Sequence, residues 1–170
     1  MKTRIFGAAL LLLSMMAFSP IAEAQSPPTT FRVFGQVTTP TVFNLAKLEK
    51  LPTATENITY GASGGIVSHE FTGALLWDLL QSIGITVDST IKNDILRKIV
   101  VVTGSDGYKA VFGAGEFDPS FGGEQIMIAY SEDGQSLGQD GFAQLIAPGD
   151  KLGGRFVFNI VSIEVRDPTK

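Results

Sequence analysis

Lys98-Ile99-Val100-Val101-Val102-Thr103-Gly104-Ser105-Asp106-Gly107-Tyr108-Lys109-Ala110-Val111-Phe112 is the stretch that decides the fold. Its first six residues, KIVVVT, are a β-branched run of the kind that fills a buried strand. Residues 104–107 then supply a turn, and the Asp-Gly step favours a hairpin. YKAVF over 108–112 returns as the partner strand. A strand that folds straight back on its neighbour makes an antiparallel pair and needs no crossover helix.

The downstream chain continues in this way. Residues 115–118 read as one helical turn ended by Pro119. QIMIAY over 125–130 is a further strand, followed by a Glu132-Asp133-Gly134 turn. Residues 142–147 lead into Pro148-Gly149-Asp150, and the last strand starts at Arg155-Phe156 and runs to Val165. The tail from Asp167 to Lys170 is expected to fray.

Upstream, residues 31–37 alternate as a strand, with Phe31, Val33 and Gly35 against Arg32 and Phe34. Asn44 caps a short helix through Leu51, stopped by Pro52. Residues 58–60 and 66–71 read as strands around the flexible Gly61–Gly65 loop. The clearest helix spans 73–83, with Thr72 as its cap. Leu75, Leu76, Leu79, Leu80 and Ile83 lie on one face, and Gly84 supplies a left-handed stop. Residues 91–97 offer one more helical turn. Two helices at the front and many strands behind do not alternate as βαβα. The pattern is α+β with mixed or antiparallel sheets.

Composition limits the chemistry. The 170 residues contain no cysteine, one histidine, 13 Lys+Arg and 17 Asp+Glu. Absence of thiols removes disulfides, zinc-thiolate sites, iron–sulfur clusters and covalent c-type haem. The net charge of −4 argues against non-specific nucleic-acid binding, which needs a basic surface. A length of 170 residues predicts one domain rather than two.

Residues 1–24 read as a secretory signal. Lys2 and Arg4 form a basic start, residues 5–18 are mostly apolar, and Ala22-Glu23-Ala24 is a small-x-small cleavage site. Cleavage after Ala24 predicts a periplasmic protein without a membrane span. QSPPTT over 25–30 is a linker, and 31–167 is the expected domain.

Several motifs are weaker than they look. Gly61-Ala62-Ser63-Gly64-Gly65 matches G-x-S-x-G, but strand-like sequence follows Ser63 where a nucleophile elbow needs a helix. His69 lies only six residues downstream, and no third residue is evident to orient its ring. His69 therefore reads as a rim histidine with ordinary acid–base behaviour. The sequence assigns no metal ligands. Glu132, Asp133, Asp140 and Asp150 read as a solvated acidic rim. No phosphate loop, dinucleotide fingerprint or H-E-x-x-H is present. Asn57-Ile58-Thr59 matches a glycosylation acceptor by chance. Lys151 and Arg155 bracket Gly153-Gly154, and two cations around exposed N–H groups make a candidate anion site.

The order of these segments resembles the molybdopterin-binding oxidoreductase domain, the sulfite-oxidase-type fold. The residues that carry the resemblance are FRVFGQV at 31–37, FTGALLWDLL at 71–80, VTGSDGY at 102–108, IAY at 128–130 with Asp133-Gly134, and LIAPGD at 145–150. Gly154-Arg155-Phe156-Val157 and the strand ending Ile163-Glu164-Val165 complete it. The chain looks like a short, exported, stand-alone version of that domain.

The resemblance implies a compact α+β fold with mixed β-sheets and a few short helices. In the family's enzymes a pterin dithiolene and one protein cysteine hold molybdenum, which exchanges an oxygen atom with a small substrate. The loop matching the ligand cysteine is Gly61–Gly65, where Ser63 is the nearby oxygen donor. The family's pterin-phosphate contacts carry over to Lys151 and Arg155. With Ser63, His69, Asp106 and Tyr108 these form the expected face for molybdopterin or another small anionic ligand.

The leading expectation is a periplasmic, non-catalytic ligand- or partner-binding module. The alternatives are an active molybdopterin-dependent oxidoreductase with an unusual metal ligand and an accessory subunit of an exported redox complex.

Overall fold

A computed structural model describes residues 26–169, and the signal segment expected over 1–24 lies outside them. In chain order the elements are β1 (Phe31–Gly35), β2 (Thr41–Phe43), α1 (Leu45–Leu48), β3 (Thr53–Ala62), β4 (Gly65–Leu75) and α2 (Leu76–Ile83). There follow β5 (Ile99–Gly104), β6 (Lys109–Gly113), α3 (Ala114–Phe117), β7 (Met127–Glu132), β8 (Gln135–Ser136), β9 (Gln144–Ile146) and β10 (Ile160–Arg166). Short 3-10 turns cover Asp94–Arg97, Gly138–Asp140 and Gly153–Arg155.

The strands form two sheets, ordered β2-β1-β10-β5-β6 and β3-β4-β7-β8, with β9 also on β7. β1 and β10 run parallel, while the other named strand pairs are antiparallel. The fold is therefore α+β with mixed sheets, as the 98–112 hairpin predicts. Both sheets feed one apolar core. Val33, Val100, Val102 and Ile163 enter it from the first sheet; Phe71, Met127, Ile128 and Leu145 enter from the second. Phe31 stacks on Phe43 and Phe142 with ring centroids 5.6 and 5.7 Å away. Among the described residues, no helix is long and apolar enough to cross a membrane.

Four local expectations change. The helix expected over 73–83 starts at Leu76, because residues 73–75 continue β4 opposite Met127, Ile128 and Ala129. A strand buried on both faces is as apolar as a buried helix, so the Leu75-Leu76 run hides the junction. Gly73 belongs to the strand for a steric reason: a Cβ there lies 2.2 Å from the Ile128 carbonyl oxygen. The expected cap, Thr72, instead pairs its hydroxyl with Thr55 across the strands at 2.9 Å.

The Gly61–Gly65 stretch is no loose loop. β3 and β4 pair from Thr53↔Ala74 to Ala62↔Gly65, leaving Ser63-Gly64 as a two-residue turn. The last strand begins at Ile160, not Arg155. Asn159 adopts a left-handed φ of 49°, and residues 156–157 are diverted to pair Val157 with Leu145.

The tail is anchored. Asp167 is buried, and its carboxylate accepts from Lys98 Nζ at 2.8 Å. Lys98 also meets Asp94 at 2.9 Å, and all three side chains are 1% exposed. Burial pushes the Lys98 ammonium down, but hydrogen bonds from it to Asp167 and Asp94 more than reverse this, so it titrates above its ordinary value. Asp167 is held below its usual range, first by Lys98 and then by the Thr169 hydroxyl.

A cleft between the hairpin tip and the 152–158 segment

The tip of the β3–β4 hairpin leans on the segment that follows Lys151. Gly61 N–H donates to the Lys151 carbonyl at 2.8 Å, and Gly61 pairs in parallel with Leu152. A cleft of about 450 Å³ opens at this contact, walled by Tyr60, Leu152, Phe156 and Phe158 and capped by Ser63. Phe156 is buried and packs on Tyr60, ring centroids 4.6 Å apart, and edge-on to Phe71 at 6.5 Å. Leu152 and Phe158 are 67% and 46% exposed, so the mouth is apolar as well.

A second hollow, about 250 Å³, shares Gly153, Phe156 and Phe158 with the first and is bounded by Asp106 and Tyr108. The β5–β6 turn sets those two: Asp106 accepts from the Tyr108 N–H at 2.8 Å, and the Tyr108 hydroxyl donates to the Gly154 carbonyl. Three of the six expected site residues, Ser63, Asp106 and Tyr108, thus surround the 152–158 segment from two different hairpins. The contact between those hairpins and that segment is long-range, and sequence spacing gives no sign of it.

The two expected cations diverge. Arg155 donates to Asp150 through Nε at 2.8 Å and Nη2 at 2.7 Å, and to Glu116 through Nη1 at 2.9 Å. Its guanidinium also lies 4.5 Å over the Phe112 ring. The Asp150 bonds, ahead of those to Glu116, hold Arg155 far above its ordinary range, while Asp150 is pulled below its own. The Arg155 charge is thus taken up within the protein. Lys151 is exposed, and its ammonium has no ion-pair partner among the described residues.

His69 stands apart from Ser63. It pairs with Ile58, four ladder positions below the Ala62↔Gly65 end of the hairpin. That is about 13 Å of strand, so no Ser–His dyad forms. The ring packs beside Tyr60 and Phe71, centroids 6.5 and 6.2 Å away. Its Nδ1 lies 2.8 Å from Asp133 Oδ2 and 3.1 Å from Glu132 Oε1. The hydrogen bond to Asp133 raises the His69 pKa, burial opposes it, and the Glu132 charge adds to the rise. Asp133 is lowered in return. The ordinary histidine expected from sequence is corrected here, whereas Asp133 stays solvated, its side chain 56% exposed. The Glu132 and Asp133 carboxylates face a single imidazole nitrogen, and Asp150 faces Arg155.

No protein-family profile matches this chain, and no curated protein matches it. A solved structure does: the sulfane dehydrogenase SoxCD from Paracoccus pantotrophus, with a TM-score of 0.68 at 19% identity. The match covers 85% of this chain and 40% of that one. At this identity the likeness is one of fold, and the chain has the sulfite-oxidase-like fold that its segment order resembles.

That fold family implies molybdopterin, and the cleft residues can be tested against it. A molybdenum centre of this type needs a soft thiolate, and the chain has no sulfur donor except methionine. At the hairpin tip the donor is the hard, weakly acidic hydroxyl of Ser63. A phosphate needs free cations, and Arg155 is already bound by two carboxylates. The metal and phosphate parts of the cofactor do not fit these residues. The aromatic walls do suit a flat ring.

Proposed function

We propose that this protein is an exported, periplasmic binding module that keeps the sulfite-oxidase-like scaffold without its oxygen-transfer chemistry. Its ligand site is the cleft between the hairpin tip and residues 152–158. The observation that carries this reading is the state of Arg155. Its donors are spent on Asp150 and Glu116, at the residue to which the family resemblance carries over a pterin-phosphate contact.

The cleft selects its ligand by shape and apolar area. Tyr60 and Phe158 present ring surface to a planar heterocycle of pterin type, over a floor formed by the buried Phe156. Ser63 and Asp106 offer polar atoms at the edges, and Lys151 offers a single cation to a small anionic substituent. An anionic ligand held by one exposed lysine binds weakly and loses affinity with salt.

The test is a titration of the tag-free protein with pterin, read by amide chemical shifts. The expected result is saturable shifts confined to residues 60–63, 106–108 and 151–158, lost in Leu152→Glu. Leu152 is exposed, so this variant keeps the fold. Shifts scattered elsewhere, or none at millimolar pterin, overturn the ligand site.

A second reading, an accessory subunit of an exported redox complex, rests on the acidic net charge of −4, which suits a basic partner. A stable partner purified with the protein from its native periplasm supports it, and a clean monomer counts against it.

A further inference from the structure

We propose that His69, Glu132 and Asp133 form a binding site for a divalent first-row metal ion such as Zn²⁺, next to the aromatic cleft and sharing only Tyr60 with it. The site joins the middle of β4 to the β7–β8 turn. Phe71 pairs with Glu132 across the ladder, and His69 lies two residues before Phe71 on the same strand face. Asp133 follows in the turn. His69 and Asp133 are 64 residues apart in sequence, which is why no spacing motif announces them.

Three features favour a metal over a simple ion pair. First, the donor set is mixed. One imidazole nitrogen and two carboxylate oxygens lie within 4.8 Å of one another, a set suited to borderline divalent ions. Second, the spacings are close to those of a metal site. Ligands at about 2.1 Å from a metal stand about 3.0–3.4 Å apart at angles between 90° and tetrahedral. The Nδ1 distance to Glu132 is 3.1 Å, inside that range, and the distance to Asp133 is 2.8 Å, so Asp133 needs to move out by a few tenths of an ångström to admit the ion. Third, the ligands are pre-oriented. Tyr60 and Phe71 fix the ring plane. Glu70 N–H donates to Asp133 Oδ1 at 2.9 Å and Asp133 N–H returns a bond to the Glu70 carbonyl at 2.8 Å, which leaves Oδ2 aimed at the imidazole. Such outer contacts set ligand direction in metal sites.

Charge points the same way. With a neutral imidazole, the two carboxylates bring two negative charges to one spot, and a divalent cation balances both. A single Nδ1–H can donate to only one carboxylate at full strength. Three protein ligands leave open positions for water, so affinity is modest and exchange is fast.

The experiment uses the full tag-free protein, stripped with chelator, near pH 7.5. Because the chain has one histidine, its imidazole carbon-bound proton signals report this site alone. Zn²⁺ is added and the signals are followed. The expected result is a fast-exchange shift that saturates with excess Zn²⁺ and fits one ion per chain, with Mg²⁺ at the same concentrations producing none. Asp133→Asn keeps the turn, since Asn tolerates the left-handed φ of 49° found there. This variant and Glu132→Gln should each weaken Zn²⁺ binding at least tenfold with an unchanged far-UV spectrum. Equal affinity in the wild type and both variants means that an exposed histidine binds alone, and it overturns the site. So does the absence of a shift at millimolar Zn²⁺.

Discussion

Arg155 lays both edges of its guanidinium fork on Asp150, with Nε–Oδ2 at 2.8 Å and Nη2–Oδ1 at 2.7 Å. A two-pronged pair of this kind fixes geometry as well as charge. Its third donor holds Glu116, whose other oxygen caps the Gly113 N–H at 2.6 Å. Arg155 therefore ties the 3-10 turn under the cleft to the start of α3. Replacing it with Ala leaves two carboxylates facing one another. The expected loss is about 1–2 kcal/mol, with the partial exposure of the pair keeping it below the figure for a buried one. Lys151→Ala should leave stability within about 0.5 kcal/mol, yet weaken a cleft ligand that carries a small anionic substituent several-fold. Urea unfolding of both variants separates a structural cation from a ligand-facing one. Equal stability of the two variants contradicts the assignment.

Lys98 is a second cation with a structural role, and it is far more buried. Its removal as Lys98→Met leaves Asp94 and Asp167 with only the longer, partly exposed contacts of Arg97 at 3.3 and 3.8 Å. Breaking a buried pair from one side costs about 3–5 kcal/mol. The same contact anchors the tail, so amide exchange near residues 164–168 should rise in this variant. A loss below about 1 kcal/mol by chemical denaturation would show that the triad contributes little.

The carboxylates of Asp94, Asp150 and Asp167 all titrate below their ordinary value of 3.8. For Asp94 the Asp88 N–H is the main cause, with Lys98 next. The unfolded chain therefore takes up protons before the folded one as pH falls. Stability from these groups is complete above their unfolded pKa. It is lost as pH drops through about 4 and on through the folded values. Lys98 works in the opposite sense: raised above 10.5 in the fold, it stabilises at lower pH and is lost above that value. Denaturation midpoints should fall steadily below pH 4, and the raised His69 adds a smaller loss as pH climbs above its ordinary 6.5. The fall should be shallower in Lys98→Met. A midpoint that is the same at pH 6 and pH 2.5 contradicts the linkage.

Gly73→Ala tests the strand assignment of residues 73–75. The added Cβ meets the Ile128 carbonyl oxygen at 2.2 Å and the Ala129 Cα at 2.6 Å, both main-chain atoms. One strand must move, and the expected cost is about 3 kcal/mol or more. Gly64→Ala is the control, since nothing lies within 4 Å of a Cβ there. Were residues 73–75 the first turn of a helix, Gly73→Ala would stabilise the protein.

The sequence carries its local signals faithfully. The Asp106-Gly107 and Asp133-Gly134 steps mark real hairpins, and Gly84 ends α2 at φ 76°. Asn44 caps α1 by accepting from the Lys47 N–H at 3.0 Å. What escapes is whatever depends on distant partners. The β4–α2 junction is hidden because both elements are apolar there. Arg155 reads as a free cation although its main partner, Asp150, lies only five residues away, because the turn that folds the two together leaves no periodic signal; Glu116, 39 residues away, is out of local reach altogether. The Asp167 tail reads as frayed because Lys98 lies 69 away. Of the candidate site, the glycine-rich tip and the Asp106–Tyr108 turn are legible. The aromatic wall of Tyr60, Phe156 and Phe158 is not, since three strand or loop aromatics have no shared periodicity.

If the protein keeps the sulfite-oxidase-like scaffold without metal chemistry, as proposed, the full chain purified from a host that makes molybdopterin carries molybdenum far below one atom per chain. Stoichiometric molybdenum that is lost in Ser63→Ala would contradict the proposal and establish the serine as the metal ligand.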